Sequence, residues 1–351
     1  MRLIKYSEAI NEGIYEAMNY DKSIICFGLG TTDPKAIFNT TVGLEGKFGS
    51  ERVFDMPTSE NAMTGVAIGA SMNGVKAIMT HQRLDFFLLA MDQLVNNAAK
   101  AHYMFGGALS IPITIRLIIG RGWGQGPTHS QNLQAWFAHI PGLKVVMPST
   151  PSDAKSLLIS SIFDPNPVVF LEHRWLHNSL GEVKKGLIKK KIGECNVLKS
   201  GKDITIICMS YLTIEAMKAS NYLEGKGISC EVIDLSSIKP IDWDSIFKSV
   251  KKTGRILACD TGFTTCSVAG EIIARVSIEL FDKLKAKPLR LAMPDVPEPT
   301  SFGLTKGFYV RAGDIARKCL DIFDHKTDNE SEILPEPVPH DVPGDWFKGP
   351  F

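Results

Sequence analysis

The sequence predicts an α/β protein of two domains, each built on a mostly parallel sheet covered by helices. Its 351 residues exceed what a single hydrophobic core usually organises. Short apolar runs alternate with helix-length segments through both halves, which is typical of parallel sheets covered on both faces. A charged stretch with scattered glycines interrupts this alternation after residue 181 and separates the two halves.

The first half begins with an amphipathic helix over residues 6–19, where Ile10, Ile14 and Ala17 share one face. A second helix, over residues 61–72, is rich in Ala and Gly, and Thr58 or Ser59 can cap its start. The short apolar runs predict buried strands at residues 23–27, 53–57, 75–80, 112–118, 143–147 and 167–171. These elements place the first domain at residues 1–185.

The second half repeats the pattern after a linker at residues 186–202. Its predicted strands cover residues 204–209, 230–235, 255–259 and 289–293, with helices near 213–225 and 269–280. The second domain therefore spans residues 203–325. Residues 326–351 hold five prolines, which fix φ and lack the amide donor, so they predict an extended tail. Its Trp346, Phe347 and Phe351 pack either on their own subunit or, as the less favoured alternative, on a neighbour.

Composition excludes several classes of function. The net charge of +1 provides no global field for nucleic acid or an anionic membrane. No apolar run reaches the roughly 18 residues that a membrane-spanning helix needs, and residues 1–5 lack the apolar core of a signal peptide. The seven cysteines form no CxxC pair and have no metal-ligand spacing with histidine. These features predict a cytoplasmic protein.

A series of sequence blocks resembles one family. The segment FDMPTSE at residues 54–60 is similar to the D-x-P-[IL]-[ST]-E segment of the beta subunits of 2-oxo acid dehydrogenases, in their thiamine-diphosphate-dependent decarboxylating component. Further blocks follow in the family's order: 67–74 (AIGASMNG), 92–100 (DQLVNNAAK), 103–107 (YMFGG), 128–131 (THSQ), 138–146 (AHIPGLKVV), 153–155 (DAK) and 164–169 (DPNPVV). The resemblance implies a pyrimidine-binding domain followed by a transketolase C-terminal-like domain.

The family chemistry gives Glu60 its predicted role. Thiamine diphosphate reacts through a carbanion at its thiazolium C2, which its own aminopyrimidine generates. A carboxyl group on the pyrimidine ring nitrogen favours the tautomer that removes the C2 proton, and burial raises the pKa of such a carboxyl. Glu60 matches that residue. Taken alone, Glu60 could instead only complement the start of a helix, where acidic side chains are common.

Two further residues complete the predicted cofactor and catalytic set. The resemblance places Phe86 where an aromatic ring stacks on the aminopyrimidine, although residues 86–89 could also simply fill a core. His129 lies in a loop rich in Gly and polar residues, where a histidine can shuttle protons or bind a substrate carboxylate. Its alternative is a first-turn helix residue without chemistry.

Some family members bind potassium through carbonyl oxygens and a few side chains. The matching positions here are Ile113, Ser161, Ile162, Asp164 and Asn166. The alternative is that Asp164 and Asn166 only shape a turn that contains proline.

The magnesium half of the cofactor site has no counterpart in the sequence. The family's diphosphate and Mg²⁺ site needs Gly-Asp-Gly followed by an asparagine, and no Gly-Asp-Gly occurs here. In this family a separate alpha-type subunit supplies it, within an α2β2 assembly. The resemblance therefore implies that thiamine diphosphate and Mg²⁺ are held mainly with such a partner, and that a lipoyl acyltransferase is a further possible partner.

Some positions depart from the family pattern. Gly28-Leu29-Gly30 replaces the usual Gly-Glu-Asp, and Arg83 and Asp85 stand where smaller or neutral side chains are usual. Three functions stay open. The first is oxidative decarboxylation of a 2-oxo acid with acyl transfer to a lipoyl group. The second is a split transketolase-like or acyloin-forming enzyme that passes a carbanion to an aldehyde. The third is a non-catalytic regulatory subunit that keeps the fold.

Overall fold

A computed structural model describes residues 1–324, 333–335 and 339–347. The first half of the chain provides six of the seven strands of a large sheet, a separate pair of strands and the helices that cover the sheet. The strands are β1 (Arg2–Lys5), β2 (Ile24–Gly28), β3 (Val53–Asp55), β4 (Lys76–His81), β5 (Ile113–Ile119), β6 (Lys144–Val146), β7 (Val168–His173) and β8 (Leu180–Val183). The helices are α1 (Tyr6–Tyr20), α2 (Ala36–Asn39), α3 (Leu44–Phe48), α4 (Glu60–Met72), α5 (Leu84–Phe87), α6 (Ala99–Met104), α7 (Gln134–His139) and α8 (Pro151–Ile162). A π-helix at Gln93–Ala98 runs directly into α6.

The second half contributes another sheet and four helices. Its strands are β9 (Asn196–Lys199), β10 (Ile204–Cys208), β11 (Cys230–Asp234), β12 (Ser237–Lys239), β13 (Ile256–Phe263) and β14 (Leu289–Met293). Its helices are α9 (Leu212–Glu224), α10 (Trp243–Thr253), α11 (Val268–Glu279) and α12 (Ala312–Ile322). Among the described residues no helix is long and apolar enough to cross a membrane.

The sheet order confirms the predicted α/β class. The large sheet has seven strands in the order β12-β6-β7-β5-β4-β2-β3, and the second has five in the order β14-β13-β10-β11-β9. Within each sheet all neighbours are parallel except β12 beside β6 and β9 beside β11. The two remaining strands, β1 and β8, form a small antiparallel pair. Parallel strands leave their carboxyl ends at one edge, which is where loops build sites in such sheets.

Two elements connect the halves more closely than a simple linker would. β9 lies inside the stretch predicted as linker, residues 186–202, and pairs with β11 as an edge strand. β12 comes from the second half of the chain but pairs with β6 of the first sheet. The stretch is therefore partly regular structure, and each sheet borders segments that the sequence pattern did not assign to it.

A buried ion pair crosses the centre of the large sheet. Arg116 on β5 donates from Nε and Nη2 to Glu172 on β7 at 2.6 and 3.0 Å, and both side chains are fully buried. Arg116 also donates to Thr80 on β4 at 3.2 Å. Burial alone would raise the pKa of Glu172, but Arg116 and His177 together hold that pKa below its ordinary value. The pair thus satisfies charges that an apolar sheet interior could not otherwise accommodate.

Candidate active site

The three residues predicted for the cofactor and the chemistry come from loops at one edge of the large sheet. Glu60 follows β3, Phe86 follows β4, and His129 follows β5. These strands lie side by side with β2 in the order β5-β4-β2-β3 and are parallel. Because their carboxyl ends share an edge, the chain brings the three loops to the same end of the first domain.

Glu60 is the first residue of α4 and is almost fully buried, with 5% of its surface exposed. Ser59 occupies the N-cap position, but its side chain makes no capping hydrogen bond, so the predicted side-chain cap is not formed by Ser59. The Thr64 hydroxyl donates to the Glu60 carbonyl at 2.8 Å and also contacts Met79 of β4, which holds the start of α4 against the sheet. Within the described part of the chain, no side chain or amide is hydrogen-bonded to the Glu60 carboxylate. Glu60 is thus mostly buried as a residue, while its carboxyl oxygens still reach solvent and are available to a ligand.

Phe86 and His129 are in direct contact. Their ring centroids are 5.3 Å apart and the rings are perpendicular. Phe86 keeps 37% of its surface exposed, so it does not fill a core as the alternative supposed. His129 is half-buried and its Nδ1 is within 3.0 Å of the Thr128 hydroxyl. α7 begins only at Gln134, so His129 belongs to the loop and not to a first helical turn.

A polar contact joins the two loops that carry these rings. Gln131 donates from Nε2 to the Asp85 carboxylate at 2.8 Å. Asp85 is adjacent to Phe86, and Gln131 is two residues beyond His129. The hydrogen bond is therefore a second link between the two loops beside the ring contact, which suits a site that must present both groups in one arrangement.

Two buried basic groups stand at the end of β4, and His81 was not anticipated from the sequence. Burial lowers the pKa of His81 to about 3, so it is neutral at physiological pH. Burial and the neighbouring Arg174 lower the pKa of Arg83 to about 10, which still leaves it charged. Arg83 donates to the Gly120 carbonyl at 3.0 Å, at the start of the His129 loop. The signal in the sequence was a basic residue directly after an apolar strand.

The Gly28-Leu29-Gly30 segment lies at the carboxyl end of β2, next to the end of β4. A Cβ on Gly28 would lie 2.1 Å from the Thr80 carbonyl oxygen, so only glycine allows this approach of β2 to β4. Gln82 donates to the Leu29 carbonyl at 3.2 Å. Leu29 and Gly30 stand where the resemblance leads one to expect an acidic pair, and the charged residues in the adjacent segment after β4 are Arg83 and Asp85.

The five residues of the potassium prediction lie at the opposite, amino-terminal edge. Ile113 begins β5, Ser161 and Ile162 end α8, and Asp164 and Asn166 form the turn before β7. The Asn166 amide donates to Asp164 Oδ1 at 2.9 Å, which is the turn that the alternative predicts. Lys144 also pairs with Asp164 Oδ2 at 2.5 Å. The Asp164 carboxylate thus already has a cationic partner, and a cation bound there would rely on carbonyl oxygens.

This arrangement of two α/β domains, with a loop site on the first, is that of transketolase-type proteins, and the comparisons support this class. The family described as "Transketolase, pyrimidine binding domain" matches residues 2–178, and "Transketolase, C-terminal domain" matches residues 193–315. A solved split-gene transketolase, described as an inactive beta4 tetramer, superposes with a TM-score of 0.76 over 92% of this chain and 100% of its own. Its 22% identity makes it a likeness of fold.

Similar curated proteins define the family more narrowly. The beta subunit of the acetoin:2,6-dichlorophenolindophenol oxidoreductase of Cupriavidus necator is 38% identical over 90% of this chain and 96% of its own length. The beta subunits of the pyruvate dehydrogenase E1 component from Rhizobium meliloti and Acholeplasma laidlawii are each 39% identical, over 87% and 86% of this chain and 67% and 93% of their own. The chain belongs to the family of beta subunits of thiamine-diphosphate-dependent 2-oxo acid dehydrogenases.

Proposed function

We propose that this chain forms the catalytic beta half of a thiamine-diphosphate-dependent 2-oxo acid dehydrogenase that is active only with an alpha-type partner in an α2β2 assembly. The observation that carries the proposal is the contact of Phe86 with His129 on the same sheet edge as the buried, unpartnered Glu60. An acid and an aromatic face suit the aminopyrimidine half of the cofactor, and a loop imidazole beside them suits the substrate.

When bound, thiamine diphosphate supplies the nucleophilic carbon that cleaves the bond next to the substrate carbonyl. The chain's own residues prepare and use it. Glu60 holds a proton at the pyrimidine ring nitrogen, since its carboxylate has no other hydrogen-bonding partner among the described residues. Phe86 offers a partly exposed ring for stacking. His129, fixed beside it, binds the substrate carboxylate or moves a proton at the substrate oxygen.

The diphosphate half of the site is proposed to come from the partner. The sequence contains no Gly-Asp-Gly. The described residues also include no group of three or more His, Cys, Asp or Glu side chains that could hold a metal ion. Mg²⁺ therefore belongs with the alpha-type subunit in this proposal, while a potassium ion at residues 113 and 161–166 would serve only the structure of the beta chain.

The free, mostly buried cysteines fit a reducing compartment, and we propose the cytoplasm.

A second candidate substrate class is an acyloin. The relative from Cupriavidus necator is named for acetoin, a hydroxyketone with no carboxylate. Cleavage of such a substrate needs a base for its hydroxyl proton, which His129 could supply in place of binding a carboxylate. Transfer of the acyl group to a lipoyl acyltransferase is proposed for the first candidate, and passage to an aldehyde or an artificial electron acceptor for the second.

The assembled enzyme with Glu60→Gln tests this function. Glutamine keeps the shape and one acceptor oxygen but cannot exchange a proton with the pyrimidine nitrogen. We expect turnover of 2-oxo acids and acyloins to fall by about 10²–10⁴, the usual effect of a positioned acid or base, with assembly unchanged. Proton–deuterium exchange at the cofactor C2 should fall in parallel.

Comparison of substrates on the wild-type assembly then separates the candidates. Reduction of a lipoyl domain with pyruvate or a branched 2-oxo acid supports the dehydrogenase. Activity confined to acetoin with dichlorophenolindophenol supports the acyloin enzyme. Parental C2 exchange in Glu60→Gln would refute the role assigned to this carboxylate. A correctly assembled wild type with no C2 exchange at all would identify the chain as a subunit that keeps only the fold.

A further inference from the structure

The loop that carries His129 is fastened to the second domain and to the carboxyl-terminal tail. This loop, residues 120–133, connects β5 to α7 within the first domain. Besides its contacts with Arg83 and Asp85 of the first domain, the loop and the start of α7 have polar partners more than 120 residues away in the sequence. The active-site loop is thus shaped by parts of the chain that do not belong to its own domain.

Arg121 makes the central connection. Its side chain is 1% exposed. It donates to the Gln125 carbonyl within the loop, to the Pro299 carbonyl at 2.7 Å and to the Thr300 carbonyl at 3.1 Å. Its Nη2 also pairs with the Asp341 carboxylate at 3.2 Å, and that carboxylate is 8% exposed. One guanidinium therefore bridges the loop, the second domain and the tail, and Asp341 supplies the charge that balances it.

Close packing beside Arg121 leaves the loop little freedom. A Cβ on Gly126 would lie 1.9 Å from Thr300 Oγ1, so glycine is needed where the loop meets the second domain. At its far end, Asn132 donates to the buried Glu298 carboxyl at 3.2 Å. Gln134, the first residue of α7, donates to the buried Asp260 at 2.5 Å. His129 lies between these anchored ends.

The tail segment that presents Asp341 is itself held by both domains. Arg311 donates to the carbonyls of His340 and Val342 at 2.8 and 3.0 Å, on either side of Asp341. Further along, the Trp346 indole donates to the Trp175 carbonyl at 3.1 Å. The tail thus lies on its own subunit at residues 339–347. These residues are also beyond residue 315, where the match to the C-terminal domain family ends.

We propose that Arg121 and Asp341 are positioning residues for His129, so that the carboxyl-terminal tail sets the geometry of the active-site loop from outside the family domains. The effect on catalysis rests on the proposed function. The anchoring of the loop rests only on contacts within this chain. Loss of the Asp341 charge would leave the buried Arg121 without its carboxylate partner, and the loop would sample other arrangements.

The test compares Asp341→Asn with Asp345→Asn, a matched control four residues along the same tail whose side chain is exposed. Hydrogen–deuterium exchange on each purified chain should show amides of residues 121–133 exchanging at least about 5-fold faster in Asp341→Asn and unchanged in the control. Other segments of the second domain should keep their parental rates. In the assembled enzyme kcat should fall by about 10-fold, with the KM for thiamine diphosphate and the C2 exchange rate unchanged.

Arg121→Lys provides the second variant if Asp341→Asn folds poorly. Lysine keeps the ion pair but cannot reach the carbonyls of Gln125, Pro299 and Thr300 together. It should loosen the same loop and lower kcat in the same way. Parental exchange at residues 121–133 in a folded variant overturns the anchoring. Faster loop exchange with parental kcat overturns the positioning role. A wild-type assembly without any activity refutes the proposed function, while the exchange experiment still decides whether the tail holds the loop.

Discussion

Glu298 is a buried carboxyl group of the second domain that contacts the His129 loop. It is 1% exposed and receives hydrogen bonds from Asn132 and Tyr309 at 3.2 and 3.3 Å. Burial raises its pKa to about 8, with Asp85 adding to the rise, while the two hydrogen bonds and Arg121 oppose it. Glu298 therefore holds its proton through most of the physiological range and meets the His129 loop as a neutral group.

This pKa predicts how stability changes with pH. The folded chain keeps the Glu298 proton up to about pH 8, whereas the unfolded chain releases it near the ordinary value of 4.5. The contribution to stability is therefore complete below pH 4.5 and is lost as pH rises towards 8. Glu298→Gln should remove this loss. Relative to the wild type, the variant should gain on the order of 2 kcal/mol between pH 5.5 and pH 8 in denaturant titrations of the chain.

Glu231→Gln is the control for that experiment, because the buried Glu231 pairs with the partly exposed Lys252 and has a pKa below its ordinary value. Its difference from the wild type should stay flat between pH 5.5 and pH 8. A flat difference for Glu298→Gln as well would mean that Glu298 is ionised throughout this range.

His129→Ala separates cofactor activation from the later steps. Glu60 and Phe86 remain in place in this variant, so C2 exchange should stay largely intact. Turnover should fall by about 10²–10⁴, because the group that handles the substrate carboxylate or a proton is lost. Exchange and turnover measured on the same assembled preparation give the answer. Equal loss of both rates would indicate a cofactor-positioning or assembly defect instead.

At the level of elements, the sequence predicted the buried parallel strands and two of the four edge strands of the two main sheets, β3 and β14, but missed the other two. β4, β5, β7, β10 and β11 are apolar runs enclosed on both faces, and their hydrophobic pattern is a local property. The edge strands β9 and β12 are short and partly polar, and they exist because of partners far away in sequence. Because these strands form through tertiary contacts, no local sequence pattern predicts them.

Helices α10 and α12 were also not predicted, although the sequence contains signals for both. α10 had adequate signals, since the Asp242 side chain accepts from the Ser245 amide at its start and Gly254 ends it with φ of 72°. α12 begins where the Asp314 side chain accepts from the Arg311 amide. Both signals are readable in the sequence. In the candidate site, Glu60, Phe86 and His129 were found through the family resemblance. The pair of Arg121 and Asp341 could not be predicted, because the two residues are 220 positions apart in the sequence.

For the whole molecule, the two halves of the chain share their interior. Each of the two hydrophobic clusters contains strand residues from both sheets, such as Phe170 with Val232 in one and Leu171 with Ile233 in the other. The polar contacts follow the same plan, as Ser149 of the first domain donates to the buried Asp234 of the second at 2.6 Å. The two halves therefore form one packed body, in which contacts from both halves hold the loops of the candidate site.

The isolated chain should therefore bind thiamine diphosphate and Mg²⁺ poorly. It offers the pyrimidine ring a carboxyl group and an aromatic face, but the described residues include no cluster of acidic, His or Cys side chains for the metal that neutralises the diphosphate. Calorimetry on the purified chain should show a Kd weaker than about 1 mM, equivalent to less than about 4 kcal/mol of binding free energy. Adding the alpha-type subunit should bring the Kd into the micromolar range, and Glu60→Gln should weaken that affinity far less than it lowers turnover. A micromolar Kd for the chain alone would contradict the division of the site between two subunits, and would require metal ligands from this chain's own residues.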